Sequence, residues 1–269
     1  MPFGTFKNPK GPSWKNPEKI ELGFSGTSVI FLLPVSNANY SSIGDGDKLQ
    51  FGKSSCEIDI DKKVKEFGEQ NNLGDQLKYD YRLKRMYDFK GMPLIGTEAG
   101  GLTFRLAIIY GLEKNFLNGG FFDGVLARMD RLHGKEATKN FLIRLYPINW
   151  SLIELGGCNA LSYGVEDLMP QPREVSAFRF HFVLPISSSA AMDFQFDFDD
   201  IPVRSGGIES ANVLIKKVME SLVVDYKAEH KVGVKSLNLK ESFTSMAPLV
   251  WKNYKKVPRV DYNVLEKYL

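Results

Sequence analysis

Two neighbouring stretches, FRFHFVLP (residues 178–185) and MDFQFDFDDI (192–201), place a phenylalanine at every second position and a polar or charged residue in most of the gaps. Side chains leave a strand on alternate faces, whereas a helix returns to the same side every 3.6 residues. Only a sheet separates these phenylalanines from these polar groups. The short linker SSSAA between them predicts a hairpin, in which Phe178, Phe180 and Phe182 share a face with Phe194, Phe196 and Phe198. Arg179 and His181 then share the other face with Asp193 and Asp197, and opposite charges meet across the ladder. The same alternation recurs in SCEIDIDKKV, with Cys56, Ile58 and Ile60 on one side and Glu57, Asp59 and Asp61 on the other. The chain is thus expected to carry two acid-faced strands sharing an outward surface.

The remaining elements are read from the same periodicities. Residues 1–19 hold four prolines and four lysines against one glutamate, which predicts an extended basic arm on a body of residues 20–269. KIELGFSGTSVIFLLPVS reads as a strand or hairpin, the Asn, Ser, Gly and Asp-rich residues 36–48 as a loop, and LTFRLAIIY, NFLIRLYPI and WSLIELGG as strands. DQLKYDYRLKRMYDFK is expected to be a helix capped by Asp75 and ending near Lys90. FFDGVLARMDRLHG is expected to be a second, and residues 207–230 a third with a buried stripe of Ile208, Ala211, Ile215, Val218 and Leu222. The order of elements predicts an α+β fold of largely antiparallel sheets with packed helices. VIFLLPVS (29–36) echoes FHFVLPIS (180–187), which allows two related halves and a division of the body into 20–166 and 174–269 about the proline-containing connection EDLMPQPRE.

Composition narrows the function classes. With 43% hydrophobic residues and a net charge of +3, the chain has material for a large core and no general basicity for nucleic acid. The longest apolar run, VIFLLPV, is too short to cross a bilayer and is interrupted by Pro34. The beginning of the sequence lacks the apolar stretch of a secretory signal, and Cys56 and Cys158 are far apart, so a reducing cytoplasmic location is expected.

Motifs that carry chemistry are few and incomplete. GDGDKLQFGKSS ends like a phosphate loop at Gly52, Lys53 and Ser54, but Gly46 and Gly52 enclose five residues rather than four and no helix pattern comes after it. Cys158, beside Gly156 and Gly157, would need His133, His181 or His230 as its base to act as a nucleophile. Alternate carboxylates on a strand stand about 6–7 Å apart, too far to converge on one metal ion, and the Asp45-Gly46-Asp47 loop completes no calcium spacing. The basic residues Lys78, Arg82, Lys84, Arg85 and Lys90, interleaved with tyrosines, suggest nucleic acid, but Asp75, Asp80 and Asp88 dilute them. No catalytic residue, metal site or cofactor is therefore assigned. The acidic residues Glu57, Asp59, Asp61, Asp193, Asp197 and Asp199 are assigned to a surface for a basic protein partner, where complementary charge speeds and orients association.

With its acid-lined segments EIDID and DFQFDFDD, the body over about residues 20–250 resembles bacterial immunity proteins that neutralise toxins delivered by type VI or contact-dependent secretion. The resemblance implies a non-enzymatic protein that binds one cognate toxin and blocks it, without cofactor or turnover. Two alternatives stand beside it. One is an enzyme or small-ligand-binding protein with a site built from glycine-rich loops (GTEAGGLTF, NGGFFDG and GGCNALSYG) around Cys158. The other is an assembly component tied together by the arm and the basic residues 251–269.

Overall fold

The computed structural model describes residues 4–38, 55–70, 77–91, 98–111, 125, 148–166, 175–176, 178–202 and 205–228. Strands β1 (Glu18–Phe24) and β2 (Thr27–Leu33) form an antiparallel hairpin closed by Ser25 and Gly26. Both turn residues have positive φ, 49° and 98°. This is the twist that a two-residue hairpin requires and that glycine supplies without a Cβ penalty. Alternation then directs Ile20, Leu22, Phe24, Val29, Phe31 and Leu33 to the interior, all of them buried. Strand β3 (Ser55–Ile58) joins β1 in parallel.

Here the expected acid-faced strand stops short. Asp59 leaves the strand and its carboxylate accepts from the Lys62 N–H at 2.9 Å, capping helix α1 (Ile60–Gln70). Asp61 sits in the first helical turn, where a negative charge favours the helix dipole.

The expected helix over residues 75–90 is instead strand β4 (Leu77–Lys90), paired along its length with β5 (Glu98–Gly111). A bulge between Tyr81 and Leu83 inserts one residue and shifts the phase of the alternation, which gives the apolar positions a spurious helical spacing. The tyrosines and phenylalanine of this segment suit the pleated surface. Its basic residues are dispersed rather than massed. Arg82 pairs with Asp80, Arg85 reaches Glu18 at 2.9 Å, and Lys84 and Arg85, as chain neighbours, leave opposite faces.

Strands β6 (Ile148–Leu155) and β7 (Cys158–Glu166) form a second hairpin through Gly156 and Gly157, so the GGC segment is a turn running into a strand. After the two-residue β8 (Val175–Ser176) come β9 (Phe178–Pro185) and β10 (Ala190–Asp199), the expected hairpin. Phe180 faces Phe196, Phe182 faces Phe194, and Arg179 faces Asp197. The short β11 (Ile201–Pro202) pairs with β8.

Helix α2 (Gly207–Glu220) carries the expected buried stripe but ends ten residues before the expected limit. Ser221 closes it, its hydroxyl accepting from the Leu32 N–H at 2.9 Å. The β-branched Val223 and Val224 then continue as β12 (Val223–Asp225) on the edge of β2.

Among the described residues the architecture is mostly sheet with two helices, α+β in the broad sense and low in helix content. A four-stranded sheet has the order β12-β2-β1-β3, a six-stranded one β4-β5-β10-β9-β7-β6, and β8 and β11 form a pair. The only parallel pairing among them is β1 with β3. The two larger sheets share one core. Phe31 of β2 meets Phe104 of β5 and Phe194 of β10 edge-on, at 6.1 and 5.2 Å between ring centroids, and α2 adds Ile208, Ala211 and Val218. Each of these sheets draws strands from both sides of the 166/174 boundary.

The arm is laid on the body over its described residues. Lys10 and Lys90 exchange two backbone hydrogen bonds, Phe6 O accepts from the Gly206 N–H at 2.9 Å, and Trp14 packs on the core. The second expected helix (121–134) has only Val125 described, buried and helical. The strand NFLIRLYPI lies outside the described residues except for Ile148. His133, His230, the Gly46–Ser54 stretch and residues 251–269 also lie outside them.

Candidate functional site

The acidic residues assigned to one outward surface are divided between β10 of the six-stranded sheet and the β3–α1 segment beside the four-stranded one. Asp193, Asp197 and Asp199 project from β10 on the face opposite the phenylalanines, as alternation requires, but that face is itself withdrawn from solvent. Asp193 is fully buried and Asp197 is 7% exposed, beside buried Ala107, Ile109, Leu161 and Val183. The expectation of a solvent-facing acid row on this strand is therefore corrected.

Asp193 and Asp197 can be buried because their partners are built into the neighbouring strands, while Asp199 at the strand's end is half-buried. Asp197 lies between Arg179 of β9 and Arg105 of β5 and bonds both guanidinium groups. Asp199 accepts from the Thr103 hydroxyl, and burial raises its pKa above the ordinary carboxylate value despite that bond. Asp193 takes His181 Nδ1 at 3.1 Å from each of its oxygens and the Gln195 amide at 2.8 Å. The His181 ring stacks on Tyr163, 4.6 Å between centroids and 9° from parallel. A buried charge is tolerable when paired and hydrogen-bonded, and this row meets that condition internally.

The other three residues lie at the surface. Glu57 stands on the outer face of the four-stranded sheet, while Asp59 and Asp61 begin α1 at the end of the same strand, and all three are exposed. In register, Gly23 of β1 is the neighbour of Glu57, and Glu21 of Ser55. The Glu57 carboxylate lies over Gly23, so closely that a Cβ there would sit 1.6 Å from Oε2. Glycine is the residue that lets the carboxylate rest on the sheet. Around it is a depression of about 400 Å3 lined by Glu21, Gly23, Thr27, Ser28, Ser55 and Glu57. Glu21 is paired with Lys19 at 2.9 Å, whereas Glu57 makes no ion pair among the described residues. Val223, 57% exposed, and the half-buried Ile30 share this outer face. Sequence reasoning missed Glu21 and Asp225 as members of it. The GF-SG-TS turn could have shown Glu21, and nothing local could have placed β12 beside β2.

Cys158 is not presented as a nucleophile. Its thiol is buried, donates to Leu155 O at 2.9 Å and contacts Tyr226, and burial raises its pKa. Cys158 and Tyr163 are five positions apart on β7, so they face opposite sides of the sheet. Since His181 stacks on Tyr163, the sheet separates that imidazole from the thiol. A thiolate nucleophile needs the opposite environment. No group of three or more His, Cys, Asp or Glu side chains able to hold a metal occurs among the described residues. No described helix is long and apolar enough to cross a membrane.

A second depression, of about 420 Å3, opens between α2 and the β6, β7 and β9 end of the large sheet and reaches Gly156. Phe180 and Phe182 meet Ile215 and Met219 across it.

No protein-family model and no curated protein matches the chain. A solved structure, that of LpqN, involved in cell envelope biogenesis of Mycobacterium tuberculosis, aligns over 57% of this chain and 87% of its own. The identity is 13% and the TM-score 0.31, too low for fold or function to be taken from it.

Proposed function

We propose that this chain is a non-enzymatic protein-binding protein that docks a basic partner on the outer face of its four-stranded sheet and the start of α1. The observation that carries the reading is Glu57, an exposed carboxylate resting on a glycine floor with no ion pair among the described residues. Asp59 and Asp61 extend the negative field along the same edge. Charges so placed steer a positively charged partner and set its orientation. In the immunity reading the partner is a cognate toxin with a basic surface, met in the cytoplasm and blocked by occupation. The buried acids of β10 serve this function only by holding the scaffold.

The test is co-expression with the proteins encoded beside this chain, followed by titration of any purified pair at several salt concentrations. The expected affinity falls with ionic strength, and reversing Glu57, Asp59 and Asp61 to lysine removes binding while the fold remains. Binding that is indifferent to salt and to this triple reversal would refute the docking face. A second reading, small-ligand binding near the Gly156 turn, has the 420 Å3 depression in its favour.

A further inference from the structure

Register divides the outer face of the four-stranded sheet into two chemically different halves. One rung runs Asp225, Ser28, Gly23, Glu57 across β12, β2, β1 and β3. It carries an exposed carboxylate at each end and small residues between, and neither carboxylate makes an ion pair among the described residues. The other half is aliphatic. Val223 and Ile30 are cross-strand neighbours, and Leu32 stands two residues further along β2 on the same face. Val223 is 57% exposed, and Ile30 and Leu32 are half-buried. Their neighbours on β1 are Glu21 and Lys19, which pair with each other at 2.9 Å and so leave no net charge beside the aliphatic groups.

A polycation would satisfy the first rung and leave the aliphatic half in water. An apolar cover would bury that half and strand two carboxylates beside it. The face therefore fits an element that carries both chemistries side by side. A lone strand laid flat on a sheet leaves its backbone N–H and C=O groups unpaired, whereas a helix satisfies its own and offers one stripe to the sheet. The spacing also suits a helix. The Glu57 carboxylate leans back over Gly23, which leaves it two strand spacings, about 10 Å, from β12, and seven residues of helix rise by about the same distance.

We propose, building on the docking face inferred above, that the partner covers it with an amphipathic basic α-helix. The aliphatic stripe of that helix lies on Val223, Ile30 and Leu32, and two Lys or Arg side chains two turns apart reach Glu57 and Asp225.

The probes are three blocked peptides of about 18 residues, five turns of helix. One has a leucine stripe flanked by arginines seven positions apart, the second has the same composition with leucines and arginines on opposite faces, and the third has glutamate for arginine. Each is titrated into the full chain by fluorescence anisotropy, with chemical-shift mapping of the sheet face. The first is expected to bind about tenfold more tightly than the second, and the third not to bind. Ile30→Ser should weaken the first peptide about tenfold and Glu57→Gln about threefold. Should Ile30→Ser fail to fold, the exposed Val223→Ser takes its place. If the second peptide binds as tightly as the first and Glu57→Gln weakens both, the docking face stands and the helix assignment is overturned. If the first peptide does not bind at millimolar concentration, or binds regardless of Glu57→Gln and of the triple reversal at Glu57, Asp59 and Asp61, the docking face is overturned with it.

Discussion

Replacing Asp197 and Asp199, two residues apart on one strand, is expected to move stability in opposite directions. Asp197 is 7% exposed and is the shared anion of Arg105 and Arg179. Removing one partner of a buried ion pair costs about 3–5 kcal/mol, because the remaining charge is stranded. Here the guanidinium side chains that lose Asp197 are 32% and 26% exposed and recover part of their hydration. Asp197→Ala should therefore cost about 2–3 kcal/mol, a large share of the roughly 5–15 kcal/mol that holds a domain folded. Asp199 behaves differently. Burial raises its folded pKa above the unfolded value of about 3.9, so the folded state binds protons more tightly and stability falls as pH rises through that interval. At pH 7 the ionised group carries a desolvation penalty. Asp199→Asn keeps an oxygen to accept from the Thr103 hydroxyl and removes the charge, so it should stabilise the protein at pH 7, with the gain vanishing below about pH 4. Urea unfolding of both variants at pH 7 and pH 4 measures this. If Asp197→Ala lies within about 0.5 kcal/mol of the parent, as surface changes do, or if Asp199→Asn destabilises as much as Asp197→Ala, the ion network is not what permits the acid row to be buried.

The remaining expectations are more local. Under native conditions iodoacetamide should modify the half-buried Cys56 and leave Cys158 untouched until denaturant is added, because burial both shields the Cys158 thiol and raises its pKa; intact-mass spectrometry reads the difference. Gly206→Ala should dislodge the arm, since a Cβ there would lie 1.9 Å from Lys7 O; limited trypsinolysis should then cut faster at Lys7 and Lys10 while the body unfolds cooperatively as before. Tyr110, pushed up to about 12 by burial, should stay protonated through alkaline titration to pH 11, with its absorbance change delayed beyond the ordinary tyrosine value of about 10.

Much of the scaffold was legible because alternation is a strong and local signal. The β9 and β10 hairpin, its shared phenylalanine face and the meeting of opposite charges across it all come from side-chain direction and charge. What failed depended on information from elsewhere in the chain. The bulge between Tyr81 and Leu83 disguised a strand of 14 residues as a helix. Asp59 reads like a strand carboxylate until the following backbone turns and uses it as a cap. Helix α2 has no stop signal of its own at Ser221; the chain leaves the helix because β2 offers an edge to Val223 and Val224. Among the six acids assigned to the candidate surface, three were misplaced for one common reason. A row of carboxylates on alternate positions specifies a face and says nothing about whether that face is wet.

The deciding information lies one strand away. Beside β10, the neighbours at the level of Asp197 supply two arginines, and the hydroxyl of Thr103 serves Asp199. Charge, hydrogen-bonding capacity and length are all matched to a carboxylate that water will not reach. Beside β3, the neighbours are Gly23 and Glu21, a residue with no side chain and a second acid. Among the described residues no cation pairs with Glu57, so burying that face without an external cation would strand a charge at a cost of several kcal/mol. The same acidic alternation is thus compensated within the chain in one sheet and, among the described residues, uncompensated in the other. The cross-strand complement distinguishes them, and Gly23→Arg should convert the second kind into the first, supplying Glu57 with a cation from within the chain.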